Sequence, residues 1–350
     1  MRGLLFVVLG LAGAGCAFEP GPPREPDAGP ADRGWWNDAW LHRVRVTIGS
    51  PTGRLEGFPV LVRLPASFDY ASTRTDGADL RFVDDAGVEL AHDVDQFIPT
   101  GVSSLWVRVP VVDPAPLPAV RFWLYYGNAA ATASANPAAV WSEQVIVHHL
   151  ATLDDASMHG RSGTAQNAMV TAAAIGDGRA FAGNAAITLA DEAAYDFTTA
   201  LAVSLWVDVD VFDQGFQALV VKGDRAWRLH RDGGGQALGF ATTFQNTNQD
   251  LAGAKPVTTP GWHHLAATYD QVTKSIYVDG VLDTAVPWAR AIDNTTAPVV
   301  LGRNDEQGPR YFKGTLDEVR ISGGSRSAAW IDAEYRTVMD PMFVTLGVAE

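Results

Sequence analysis

The sequence predicts an all-β protein built from two β-sandwich domains. Three observations lead there. From Trp40 onward, short runs of β-branched, aromatic and other apolar residues alternate with turns of Gly, Asp, Asn and Pro, and no long stretch keeps a helical period. Residues 261–284 read as three consecutive strands joined by two turns. The chain of 350 residues, 47% hydrophobic and 19% charged, is long enough to fill two cores of ordinary size.

In the 261–284 stretch His263, Leu265, Ala267 and Tyr269 fall on one face of a strand, and His264, Ala266 and Thr268 on the other. Polar residues 270–274 break the run, and 275–278 resume it with β-branched and aromatic residues. Asp279-Gly280 then supplies a tight hairpin turn, because both residues accept positive φ, and Val281-Leu282 opens the return strand.

At the start of the chain Arg2 precedes an apolar run over 4–11, and Gly13, Ala14 and Gly15 lead to Cys16, the one cysteine. A single cysteine rules out an internal disulfide and a multi-cysteine metal site. The arrangement resembles a bacterial lipoprotein signal, which implies that Cys16 becomes the lipid-modified first residue of a protein anchored at the outer membrane or cell surface. Ordinary cleavage after residues 12–14, giving a soluble secreted protein, is the alternative. Residues 17–33, rich in Pro, Gly, Ala, Asp and Arg, read as a disordered tether. A formal net charge of −14 with no basic run excludes nucleic acid and an anionic lipid surface as direct partners, leaving membrane contact to the lipid alone.

From residue 34 to 128 the chain reads as the first sandwich. Strands are expected over 42–48, 57–64, 79–83, 104–109 (ended by Pro110) and 120–126. Residues 129–140, of Ala, Ser, Asn and Pro, are a natural linker. The second sandwich takes 141–350, with strands near 145–150, 201–209, 218–223, 227–230, 238–241, the central unit, 299–302 and 314–321. Ser327 can cap a helix reaching Arg336, with Trp330, Ile331, Glu334 and Tyr335 at helical spacing, and 343–347 closes as a strand.

Two family resemblances follow from these residues. Trp40-Leu41-His42-Arg43, Phe58-Pro59-Val60-Leu61-Val62, Asp79-Leu80-Arg81-Phe82, Trp106-Val107-Arg108-Val109-Pro110 and Tyr125-Tyr126-Gly127-Asn128 resemble the DUF2341 family, which implies a β-sandwich and brings no established chemistry. Trp262, His264, Tyr269-Asp270, Tyr277-Val278-Asp279-Gly280 and the 314–321 run Gly-Thr-Leu-Asp-Glu-Val-Arg-Ile are similar to the laminin-G-like, concanavalin A-like jelly roll. That resemblance implies one structural calcium held by an aspartate near the last strand. Asp317 stands at the matching position, and Asp155 is the candidate second ligand. Capping of a turn, or pairing with Arg320, is the alternative role for Asp317.

Catalytic signatures are missing. The paired histidines His148-His149 and His263-His264 sit side by side, so in a regular strand they face opposite ways, and no Glu or Cys lies at ligand spacing nearby; packed or hydrogen-bonded strand histidines are expected. Retaining glucanases of the jelly-roll class carry two carboxylates on one strand about 5–5.5 Å apart. Here Asp317 and Glu318 are adjacent and should face opposite ways, and no Gly-x-Ser-x-Gly elbow or phosphate loop occurs. The expectation is therefore a non-catalytic cell-surface binding protein that takes an extracellular glycan, or else a surface protein, with a structural or adhesive spacer in a surface assembly as the alternative and a glycan-active hydrolase, its carboxylates brought together from distant segments, as a further reading. Of eleven tryptophans, Trp106, Trp123 and Trp206 sit in alternating strands and belong to cores. Trp227 beside Arg225 and Arg228, Trp288 after Pro287, and Tyr311 at the end of the run that opens with Arg303 and Asn304 lie in loop-like, polar surroundings and are the expected sugar platforms, with anchoring of the loops as the alternative role.

Overall fold

The structure, a computed structural model, describes residues 34–115, 119–308 and 310–350. The expected signal, Cys16 and the 17–33 tether lie outside the described residues.

The first seven strands are β1 (His42–Ile48), β2 (Leu55–Leu64), β3 (Arg81–Asp84), β4 (Glu89–Leu90), β5 (His92–Gln96), β6 (Ser103–Val112) and β7 (Arg121–Tyr126). Alternation decides their faces: Val44, Val46 and Ile48 of β1 and Phe58, Val60, Val62 and Leu64 of β2 are buried in one core with Phe82, Leu105, Val107 and Leu124. Strand β6 runs past Pro110 to Val112. Its partner β5 pairs only with Ser104–Val107, so beyond that point β6 has a free edge where the missing N–H of proline costs nothing.

A short helix α1 (Pro137–Val140), capped by the Asn136 side chain, leads into the jelly roll. Its strands are β8 (Ile146–His148), β9 (Gly163–Gln166), β10 (Met169–Ala172), β11 (Asp177–Ala182), β12 (Ala186–Leu189), β13 (Leu201–Val209), β14 (Ala218–Lys222), β15 (Trp227–Arg231), β16 (Ala237–Phe244), β17 (Thr247–Pro256), β18 (His263–Tyr269), β19 (Thr273–Val278), β20 (Val281–Pro287), β21 (Val299–Leu301) and β22 (Lys313–Ser322). One sheet runs β10-β11-β22-β13-β18-β19-β20, with β8 also on β22; the facing sheet runs β17-β16-β15-β14-β21-β12-β9. The central unit forms β18, β19 and β20 as expected, and Asp279 and Gly280 both take positive φ, 54° and 77°.

Helix α2 (Ala328–Met339) and strand β23 (Val344–Ala349) complete the described chain. The Ser327 hydroxyl accepts from Trp330 N at 3.2 Å, the expected cap. Strand β23 departs from the expected boundary. It pairs antiparallel with β1, Val46 opposite Leu346, and so extends the first sandwich's five-stranded sheet, β23-β1-β7-β3-β4, and not the jelly roll. The sheet β2-β6-β5 makes the other layer of that sandwich.

The 129–140 linker is no loose spacer either. Asn136 N donates to His92 O at 2.7 Å, and Trp141, next to the linker, is buried. The two sandwiches share an apolar seam of Leu61, Trp106, Val140, Trp141, Val147, Ile175, Trp206 and Val338. Helix α2 is wedged in it: Trp330 meets Phe58 edge-on with ring centroids 4.9 Å apart, while Leu61 N donates to Thr337 Oγ1 at 2.8 Å. Trp106 and Trp206 are thus core residues as expected, but of the junction and not of either sandwich interior.

Candidate functional site

Two places concentrate polar chemistry. The first is a cluster of jelly-roll loops. Arg231 in β15 is buried and donates to three carbonyls, Gly235 and Gly234 of the following turn and Gln214 of the loop after β13, each at 2.7 Å. Gln217 ties that loop to Tyr311 O at 3.0 Å, and Ala218 N donates to Arg310 O at 2.9 Å. Asp224, in the turn between β14 and β15, accepts at one oxygen from Arg310 at 2.8 Å, Arg228 at 2.9 Å and Asn304 at 3.3 Å. Four loops are therefore cross-braced.

On this platform stands Phe216. It is 37% exposed, the one aromatic among the large exposed hydrophobic side chains of the described residues. Its φ is +59°, a strained value for a bulky side chain. The Arg310 guanidinium lies 5.0 Å from its ring centroid, and the His230 ring 5.6 Å away.

The expected platform residues divide. Arg303, Asn304 and Tyr311 do belong to this cluster. Arg303 donates to Gln166 Oε1 at 2.7 Å and contacts Asp305, and Tyr311 is half-buried. Asn304 is 2% exposed and braces the loop, holding Asp224 and accepting from Glu306 N, so it is a scaffold residue. Trp227 is a correction. It is fully buried in the jelly-roll core, its indole N–H donating to Tyr195 O at 3.1 Å, because it shares the inward face of β15 with Leu229. Trp288 is half-buried against the same core, beneath the Lys274 ammonium at 5.7 Å, and forms a separate group with Phe240. Phe216 gave no sequence signal: its display depends on a backbone conformation that side-chain pattern does not encode.

The second place is the junction. His149 Nδ1 lies 2.6 Å from Glu318 Oε1, and its Nε2 lies 3.0 Å from Asp93 Oδ2. Trp141 Nε1–H donates to the same Asp93 oxygen at 2.7 Å, and Arg320 donates to Glu318 Oε2 at 2.7 Å. Among the described residues one group of three side chains has potential ligand atoms all within 4.8 Å of one another: Asp95, His149 and Glu318. Burial works against the charged imidazole, but Glu318 and Asp95 outweigh it and raise His149 well above its ordinary range. Burial, with the negative charge of Glu318 behind it, pushes the Asp317 carboxyl well up. Burial also pushes Asp95 up to about 7.

This cluster corrects two expectations. His149 does have acidic neighbours, brought from 56 and 169 residues away in sequence. Asp317 and Glu318 do not face opposite ways: both carboxyl groups lie at the junction, Asp317 on Ile175 N and Glu318 on His149. Glu318 takes a φ of +50° where the β13–β22 register slips, and the bulge leaves both carboxylates buried. As for calcium, Asp317 accepts from Ile175 N at 2.8 Å and Glu318 N at 2.9 Å. Asp155 accepts from Val147 N, Ser157 N and Arg161 N. Both aspartates organise backbone, and no third side chain joins either in a group at ligating distance among the described residues. His263 and His264 are strand histidines as expected: His263 is bonded to Asp279 at 3.1 Å and Thr259 at 2.6 Å, and His264 packs on Trp206.

Residues 76–161 match the family model for a domain of unknown function, DUF2341, and residues 181–332 match that of the concanavalin A-like lectin/glucanases superfamily. The chain therefore carries a DUF2341 segment followed by a concanavalin A-like jelly roll. The first match runs beyond residue 128, through the linker and over His149 and Asp155, so the junction histidine falls within it. No curated protein matches the chain. Among solved structures, the binding domain of Paraclostridial Mosquitocidal Protein 1 is similar at 14% identity and a TM-score of 0.50, over 57% of this chain and 53% of that one. The chain thus spans about half the length of that relative, and the likeness is one of fold. Domain 4 of AbnA, a GH43 extracellular arabinanase from Geobacillus stearothermophilus solved with arabinotriose, aligns at 20% identity and a TM-score of 0.46, over 54% of this chain and 97% of that one.

Proposed function

We propose that the chain is a non-catalytic binding protein of the cell surface and that it takes an extracellular glycan on the loops around Phe216. The observation that supports this most is the exposed Phe216 ring, held in a strained conformation on braced loops. A flat apolar face beside the Arg310 guanidinium suits a sugar ring, which stacks its C–H face and hydrogen-bonds its hydroxyls. Bracing lowers the ordering cost of binding.

Non-catalytic action is supported by the state of the carboxylates. Glu318 is 1% exposed, with one oxygen on His149 and the other on Arg320, so it has no free face for a substrate. A glycosidase needs two carboxyl groups lining a cleft. The buried seam between the sandwiches also favours a second reading, a rigid spacer that holds the jelly roll at a fixed orientation.

A glycan array probed with the full chain and with Phe216→Ala tests the first reading. We expect the variant to keep its melting temperature and lose at least about tenfold in retention, or about 1.4 kcal/mol. Equal retention by the folded variant would move the site elsewhere, and release of reducing ends from a polysaccharide would make the protein an enzyme.

A further inference from the structure

We propose that the junction between the sandwiches is a binding site for a first-row divalent metal ion of the zinc class, held by His149 Nδ1, Glu318 Oε1 and the Asp95 carboxylate. The site is separate from the loops around Phe216 and does not rest on the glycan reading.

The argument begins with the 2.6 Å gap between His149 Nδ1 and Glu318 Oε1. On the other side of the ring, Nε2 faces Asp93 Oδ2 at 3.0 Å, and that oxygen is fixed by the Trp141 indole. A histidine that gives its second N–H to an anchored carboxylate is the arrangement that orients metal-bound imidazoles and makes them more basic. It turns the Nδ1 lone pair toward Glu318 and Asp95. A lone pair and a carboxylate oxygen at this distance must share a cation, which is a proton or a metal ion.

Asp95 favours the metal. Its Oδ2 is shut off from solvent and has no hydrogen-bond partner. A proton on His149 bridges to Glu318 but leaves that oxygen unsatisfied, a costly state for a buried polar atom. A metal ion among the three ligands satisfies all of them.

The ligand set selects the ion. One imidazole nitrogen with two carboxylates suits zinc, manganese or iron, whereas calcium takes six to eight oxygens. Zinc bonds of about 2.0–2.2 Å at a tetrahedral angle require the 2.6 Å gap to widen to about 3.3 Å. Glu318 sits at a bulge, where the strand is already out of regular register. Three protein ligands leave a coordination position open, and Gln96, next to Asp95 in sequence, lines a cleft of about 530 Å³ together with Arg63, Ser104 and Ala174.

The test uses the untagged full chain, loaded with zinc chloride at neutral pH, desalted and analysed for metal by mass spectrometry, with melting measured in parallel. We expect about one zinc per chain, a zinc-dependent rise in melting temperature, and at least a tenfold weaker retention in Asp95→Asn and in His149→Gln. Asp95→Asn removes a buried charge at constant shape, so it should fold with an unchanged metal-free melting temperature and keeps the test decisive if His149→Gln does not. Cobalt in place of zinc should give ligand-field absorption that Asp95→Asn lacks. No retained zinc, equal retention by the wild type and Asp95→Asn, or displacement of zinc by excess calcium would each overturn the proposal.

Discussion

At the scale of single residues, burial of charge leaves measurable pH signatures. Lys274 in β19 is fully buried, donating to Gln249 O at 2.6 Å, and burial lowers its ammonium to about 7, with Arg228 adding to the effect and Asp250 opposing it. The unfolded chain, with lysine near 10.4, binds the proton that the folded chain gives up between about pH 7 and pH 10. Stability therefore rises with pH across that window, by up to about 1.4 kcal/mol for each pH step of one. Lys274→Met should melt higher than the wild type at pH 6 and lose that advantage by pH 10. His264, buried against Trp206, is lowered to about 4 by burial and, secondarily, by Arg320, against the pull of Glu334 and Asp279. Its folded value lies below its unfolded one, so its neutral form supports the fold above about pH 6.5, and that support fades as pH falls toward 4. Asp317 makes a different prediction. Replacing it with Asn removes one of two buried amide acceptors at nearly constant shape, and the melting curve should fall by about 1–3 kcal/mol. Melts in chelator and in calcium distinguish this from the metal role that the family resemblance implies: a calcium-dependent rise that Asp317→Asn lacks would seat calcium there.

At the scale of elements, what was legible depended on whether the signal was local. The hairpin at Asp279-Gly280, the cap at Ser327 and the alternation of β1 are local, and each forms as read. Trp227 was also legible in principle, since it keeps step with Leu229 in an alternating strand; its charged neighbours Arg225 and Arg228 drew it toward a loop reading. Phe216 and the bulge at Glu318 were not legible, because each depends on a positive φ imposed by distant partners. The loop platform yields its own prediction. Arg231 holds three carbonyls of two loops, so Arg231→Lys, which cannot reproduce a planar fork, should loosen the Phe216 loop. Hydrogen exchange should quicken over 211–217 and 232–236 with the sheet amides unchanged, and glycan retention should weaken along with it.

At the scale of the whole molecule, the expectation of two sandwiches holds, and the expectation of two consecutive ones does not. The junction was illegible because its members, Asp93, His149, Glu318 and α2, come from segments that carry ordinary strand or helix patterns of their own. The seam is large enough that the sandwiches should unfold together: calorimetry of residues 34–350 should give one transition. Two well-separated transitions would show that the seam adds little. The lipid expectation is tested at this scale too. Cys16→Ala should release the protein from the membrane fraction if the signal is of the lipoprotein kind, and unchanged association with no lipid mass on the processed N-terminus would remove that expectation.

The pairing of β23 with β1 reaches beyond stability. Thr47 meets Thr345 across a ladder whose two strands are almost 300 positions apart in sequence, and the entire jelly roll lies between them. In topological terms the jelly roll is an insert, and the first sandwich is a discontinuous host that closes around it. A ribosome or a secretion channel delivers β1 long before β23, so for most of synthesis the outer edge of β1 is open, with His42–Ile48 offering unpaired amides to any passing strand. The order of events is thereby set: the insert can fold while the host waits. A chain stalled before Val344 should accumulate with a protease-resistant jelly roll and a protease-sensitive first sandwich. For the same reason the two sandwiches cannot be separated by cutting the chain once, and recombination that exchanged the jelly roll would have to join new sequence at both of its ends.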